Sequence, residues 1–260
     1  MPRGNRYHLA GHVWHLTERC HGQQFLLKFA HDRRAWMKWL YESRQRFSLC
    51  VLNYYVTSNH VHLLVVDRGG DEIARSMQLI AGCVGRAYNR RKRRSGAFWE
   101  DCYHATAVDT DDHLARCFTY IDLNMVRAGV VDHPRQWAEA GYREIQQSPA
   151  RYRIIDREAL CGLLGVPDKQ LASLQNDWID ATLASGRTER EPQWSEAVAV
   201  GRRSFVERVQ HELGTRASYR HVAETDGASV LREPTPPFGP HSNGEMEALS
   251  RITALKSNEF

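Results

Sequence analysis

The order of strand-like and helix-like segments over residues 11–108 limits most what this 260-residue chain can fold into. GHVWHLTER (11–19) mixes aromatic and β-branched residues with polar ones over a short run, as a strand does. From Asp32 to Phe47, Trp36, Trp39, Leu40 and Phe47 recur at helical spacing among charged residues, which predicts an amphipathic helix. LCVLNYYV (49–56) and VHLLVV (61–66) read as two strands joined by Thr57, Ser58 and Asn59, a link short enough for a hairpin. Beyond Gly69 and Gly70, the positions Ile73, Met77, Ile80, Val84 and Tyr88 mark a second helix, and AFWEDCYHATAV (97–108) a fourth strand. The order βαββαβ predicts an α+β, ferredoxin-like fold. Its antiparallel sheet carries both helices on one face and leaves the other open to a ligand.

Asp109, Asp111 and Asp112 supply the negative charge a helix start favours, and HLARCFTYIDLNMVRAG follows until Gly129 provides a stop. This third helix carries Tyr120. Helical patterns return at about 156–186 and 194–214, so the chain divides into a first region, 1–149, and a mostly helical C-terminal extension, 150–260. REPTPPFGPHSNG (232–244) reads as a loop.

A hydrophobic content of 42% is enough for a substantial core. The six cysteines form no CxxC pair, the N-terminus has no signal-like apolar stretch, and no run approaches the roughly 20 residues that span a bilayer. These features predict a soluble, cytoplasmic protein with reduced thiols. The net charge of +4 decides little. Its distribution says more, because RAYNRRKRR concentrates Arg86, Arg90, Arg91, Lys92, Arg93 and Arg94 without an acid among them. Such a run suits either a phosphate backbone or a solvated helix end.

Two short motifs carry chemistry. In NHVHLLV, His60 and His62 are one residue apart on a predicted strand, so both imidazoles leave the same face about 6.6 Å apart along the backbone and can converge on one ion. In YIDLN, Tyr120 and Asn124 are one helical turn apart and share a face. Either motif alone fits a half-exposed strand or a packed helix. His12, His15, Cys20, Cys102, His104 and Cys117 lack the paired spacing of a zinc site.

Jointly, these motifs and the βαββαβ order resemble the HUH endonuclease superfamily, and within it the single-tyrosine transposases, most closely the REP-associated tyrosine transposases. YHL near the start, YYVTSNHVHLLV, AYNRRKRRSGAFWE, YIDLNMVRAGVV and the following HPRQW carry the resemblance, over about residues 7–145. Where the family commonly has a proline after the asparagine, this chain has Met125, which frees the helix to continue. It also has EDCYH where the family commonly has a basic residue, which weakens one expected DNA contact.

The resemblance implies that His60, His62 and Asn124 hold a divalent metal, Mg²⁺ or Mn²⁺. It implies that Tyr120 attacks the backbone of single-stranded or hairpin DNA to form a 5′-phosphotyrosine. Arg86, Arg90, Arg91, Lys92, Arg93, Arg94, Trp99 and Arg127 become the expected DNA contacts, with Tyr54, Tyr55, Phe98 and Tyr103 also available for base stacking. The expected function is a metal-dependent nuclease and strand transferase, monomeric or homodimeric, without a membrane. The alternative is a non-catalytic DNA- or RNA-hairpin-binding regulator on the same fold.

Overall fold

In a computed structural model, residues 9–186, 189–225 and 227–233 are described. Four strands open the chain's architecture: β1 (Val13–Arg19), β2 (Cys50–Val56), β3 (His60–Val66) and β4 (His104–Val108). Helix α1 (Ala30–Phe47) joins β1 to β2, and α2 (Glu72–Lys92) joins β3 to β4. The strands lie side by side in the order β2-β3-β1-β4, each antiparallel to its neighbours, as the βαββαβ pattern predicts.

Register decides which side chains share a face. Thr17 stands opposite His62, His15 opposite Leu64, and Thr106 opposite His15. Because side chains alternate along a strand, His15 and Thr17 share one face with His60, His62, His104 and Thr106. The opposite face presents Trp14, Leu16, Leu63 and Val65, all buried, beneath α1 and α2, which pack on each other. The histidine face is crossed instead by α3 (Asp112–Asp122), which packs against β2 and β4. The outer edge of β2 is covered as well, since the Val56 N–H donates to the Glu139 carbonyl at 3.0 Å and Tyr55 bridges to Ala140.

Two local expectations change. The fourth strand, read as 97–108, is confined to its last five residues. Phe98 and Trp99 turn instead onto α2, where the Trp99 indole N–H donates to the Ala81 carbonyl at 3.2 Å and the Phe98 ring meets Tyr88 edge-on. The tyrosine helix does not run unbroken to Gly129. It bends at Leu123 (φ −84°, ψ 8°) and resumes as α4 (Asn124–Arg127), although no proline is present. Tertiary contacts hold the bend: Met125 is buried on one side, and the Asn124 amide meets His62 on the other.

α5 (Gly141–Gln146) closes the first region, and the C-terminal region contains α6 (Arg157–Leu164), α7 (Asp168–Ala184), α8 (Gln193–Glu196) and α9 (Arg203–Leu213). It is less purely helical than its sequence pattern predicts. β5 (Ala199–Gly201), β6 (His221–Thr225) and β7 (Ala228–Arg232) extend the same sheet beyond β4, in the order β4-β5-β7-β6. A three-residue strand is too short to show a period of two, and it forms because β4 offers it a parallel edge. One sheet therefore crosses the 149/150 division. The proline-rich 232–244 lies, beyond Glu233, outside the described residues.

The joint between the two regions is chemically specific. The buried Asp109 carboxylate, at the end of β4, accepts from the Arg202 backbone N–H at 3.0 Å and from its guanidinium at 2.7 and 3.0 Å. Gly201 lies so close to Asp109 that a Cβ there would come within 2.4 Å of the Asp109 Cβ.

Candidate active site

β3 lifts His60 and His62 onto the face that α3 crosses. The Asn59 side-chain oxygen lies 2.8 Å from His60 Nδ1, and the Thr57 hydroxyl, at 3.0 Å, already donates to the His60 carbonyl. Both oxygens act as acceptors towards Nδ1, so Nδ1 carries the proton and Nε2 keeps its lone pair. His62 is fixed through a partner the motif does not contain. His15 Nδ1 lies 2.7 Å from the Trp194 carbonyl, which can only accept, so His15 is protonated there. His15 Nε2 then accepts from His62 Nδ1 at 2.9 Å, which leaves the lone pair on His62 Nε2. That atom faces the Asn124 amide at 2.6 Å.

All three rings are neutral. Burial pushes His15 down to about 3, against the pull of the Trp194 carbonyl, and burial followed by the charge of Arg19 pushes His60 to about 3. Burial, with His60 and His15 beside it, holds His62 well below the usual imidazole range. Neutral imidazoles with an unprotonated Nε2 are the form in which histidine binds a metal, and here the Asn124 amide N–H donates to that atom of His62. Among the described residues, no cluster of three or more His, Cys, Asp or Glu side chains is placed to hold a metal. A metal at the paired histidines would thus take any further protein donor from a neutral side chain, and the Asn124 amide is adjacent.

Tyr120 lies over the same face, its ring 6.0 Å from His62 and 6.3 Å from His15, both edge-on. Arg127 folds back across it: the guanidinium sits 3.9 Å from the ring centre and donates to the Tyr120 carbonyl at 2.5 Å. Burial raises the phenol above its ordinary range, and Arg127 and Arg190 work against that rise. Tyr120 and Arg127 also line a cavity of about 830 Å³ between α3, the end of α7 and residues 189–193, with Arg116, Arg190 and Glu191 on its walls.

The expected DNA contacts separate into two groups. Arg127 belongs to the tyrosine. Arg86, Arg90, Arg91, Lys92 and Arg93 are exposed and Arg94 half-buried, clustered towards the C-terminal end of α2. α2 runs back along the sheet, so its end returns to the edge where β3 begins with His60. Within the cluster, Arg91 bonds Asp32 and His31, and Arg94 donates to Asn89 at 3.1 Å. Trp99 is half-buried with its N–H engaged by α2. Tyr54, Tyr55, Phe98 and Tyr103 are at most 5% exposed and serve the core, so none offers a free face to a base. His15 and the Trp194 carbonyl are the members that sequence reasoning missed. The available signal was His15 alternating with Thr17 on β1, but only the pairing with β3 reveals its neighbour.

Paired neutral histidines, an adjacent amide and a tyrosine thus meet between one face of the sheet and the helix that crosses it. Residues 12–124 match the family described as "Transposase IS200 like". The match ends at Asn124 and so contains His60, His62 and Tyr120 as well. Among solved structures, a REP-associated tyrosine transposase bound to a REP hairpin is similar at 14% identity and a TM-score of 0.48. That likeness covers 60% of this chain and 94% of the other. A candidate transposase from Deinococcus radiodurans R1 is similar at 16% identity and a TM-score of 0.33, over 45% of this chain and 91% of that one. No curated protein matches the chain. Among the described residues, no helix is long and apolar enough to cross a membrane.

Proposed function

We propose that this protein is a metal-dependent endonuclease and strand transferase for single-stranded DNA, acting beside hairpins through a covalent 5′-phosphotyrosine. The observation that carries the reading is the junction of His62, Asn124 and Tyr120 on one face, with His62 Nε2 aimed at the Asn124 amide. His60, His62 and Asn124 would hold a divalent cation, Mn²⁺ or Mg²⁺, whose preference for oxygen would be met by the Asn124 amide oxygen, water and phosphate oxygens. The bound ion supplies charge stabilisation and orientation at the scissile phosphate.

Tyr120 is the nucleophile. Its oxygen forms a bond to phosphorus as the bond to the 3′-oxygen breaks, leaving a free 3′-hydroxyl and a phosphotyrosine whose bond energy is kept for rejoining. Arg127 has two tasks in this scheme: it pins the helix segment through the Tyr120 carbonyl, and its charge favours the phenolate. The exposed cations at the end of α2 attract the strand by its phosphates.

The test is to incubate the protein with a labelled DNA hairpin bearing a single-stranded flank and Mn²⁺, then denature. A covalent adduct is expected, and Tyr120→Phe should abolish it. An equal adduct from Tyr120→Phe would remove the nucleophile assignment, and binding without an adduct under every metal would favour a non-catalytic hairpin-binding role.

A further inference from the structure

The rings that sequence reasoning offers for base stacking are buried, but two others are not. Phe25 is 46% exposed and Phe29 51%. They bracket a turn closed by the Lys28 N–H donating to the Phe25 carbonyl at 3.2 Å. Leu26 and Leu27, inside the turn, are buried. The leucines anchor the turn, so the two rings are not needed for that purpose.

This turn leans on the connection that leads into His60. The Leu27 N–H donates to the Ser58 carbonyl at 2.9 Å, and the Asn59 side-chain amide donates to the Gln23 carbonyl at 3.3 Å. On its other side stands the basic end of α2. The Lys92 ammonium is 5.6 Å from the centre of the Phe29 ring, and the His31 ring stacks on Phe29 at 5.8 Å and 12°. The nearby Asp32 carboxylate is engaged by Arg91 and His31, so the cations around it dominate the local field.

Phe29 also breaks a local rule. It is the N-cap of α1, with extended backbone (φ −90°, ψ 142°) and no side-chain cap bond. That position favours Ser, Thr, Asp or Asn, whose oxygen would accept from the free N–H groups of the first turn. A half-exposed phenyl ring there serves neither the cap nor the core, and such breaches of local preference concentrate at functional positions.

We propose that Phe25, Phe29 and the basic end of α2 form a docking surface for the single-stranded DNA flank at the active site. Bases stack on the two rings, and phosphates run along Arg90, Lys92 and Arg93. Charge complementarity selects this occupant: exposed aromatic faces interleaved with cations fit a polyanion with stackable bases. The inference rests on the reading that the protein acts on single-stranded DNA.

The experiment uses full-length Tyr120→Phe protein, which cannot form the adduct, and a fluorescent oligothymidylate titrated over a range of salt. Phe25→Ala and Phe29→Ala should each weaken binding roughly 5- to 30-fold, with the slope of log affinity against log salt unchanged. Phe29→Trp should restore affinity and Phe29→Leu should not, because stacking needs a ring. Lys92→Gln and Arg93→Gln should each reduce the salt slope by about 0.7. Parent-like affinity in both alanine variants, or in Phe29→Leu, would overturn the surface while leaving the functional reading intact. Failure of the parent protein to bind single-stranded DNA would remove both. Thermal melting of each variant separates loss of binding from loss of fold.

Discussion

His15 Nε2 lies 2.9 Å from His62 Nδ1, and through its other nitrogen His15 is held at 2.7 Å by the Trp194 carbonyl. A residue from beyond the family-matched segment thus fixes which nitrogen of His62 carries the proton. The order of bonds runs from α8 through β1 to β3. Nothing in the HxH motif specifies it.

If this relay sets the metal-binding form of His62, removing the acceptor has a measurable cost. His15→Phe keeps a ring of similar size but leaves the His62 Nδ1–H without its partner. Mn²⁺ affinity, measured by calorimetry without DNA, is expected to fall about 10- to 100-fold, the usual effect of losing a partner of a metal-ligating histidine. His15→Gln retains an acceptor oxygen and should keep most of the affinity. Nitrogen chemical shifts of His62 in the metal-free protein would show the Nδ1-protonated tautomer in wild type and a mixture in His15→Phe. Identical shifts and affinities in the two proteins would exclude the relay.

Arg127 should shift how cleavage depends on pH. Burial raises the Tyr120 phenol, and the guanidinium partly offsets that rise by favouring the phenolate. A nucleophile that must lose its proton becomes more reactive as pH climbs towards its pKa. Arg127→Met removes the offset, so the rising limb of the single-turnover rate should move to higher pH. The loss should be larger near neutrality than in alkali. A uniform loss across the pH range would instead mean that Arg127 acts only by holding the helix.

The joint at Asp109 makes a stability prediction with a defined sign. Burial works against the Asp109 carboxylate, but bonds from Arg202 outweigh it and lower the pKa below the ordinary 3.8. A depressed carboxyl pKa contributes stability above the unfolded value, and that contribution disappears as pH falls through the folded value. Arg202→Met should therefore destabilise the protein at neutral pH, because the buried carboxylate loses the bonds that favour its charged form. Urea melts of the two proteins should differ at pH 7 and converge in acid below 3.8. A constant difference at every pH would place the effect in packing.

Gly201→Ala tests the same joint by volume. The added methyl would meet the Asp109 Cβ at 2.4 Å and Phe205 Cδ1 at 2.7 Å, both inside contact distance. Overpacking of this kind costs about 1–3 kcal/mol. Thermal unfolding should drop accordingly, and an unchanged melting temperature would show that β4 and β5 can separate freely.

The alternation of strand and helix patterns over residues 11–108 determined the ferredoxin-like sheet, because its periods of two and 3.6 are written in side chains that each face one environment. The spacing of His60 and His62 likewise determined that both rings leave one face of β3. Tertiary structure decided what those rings meet. The partnership of His15 with His62 follows from strand register across 47 residues of chain, and that with Trp194 from a contact across 179. Neither has a local signature. The bend at Leu123, the attachment of β5 to the edge of β4, and the burial of Tyr54, Tyr55, Phe98 and Tyr103 have the same origin. An aromatic residue looks alike in sequence whether its face is covered or open, and only packing distinguishes those four from Phe25 and Phe29.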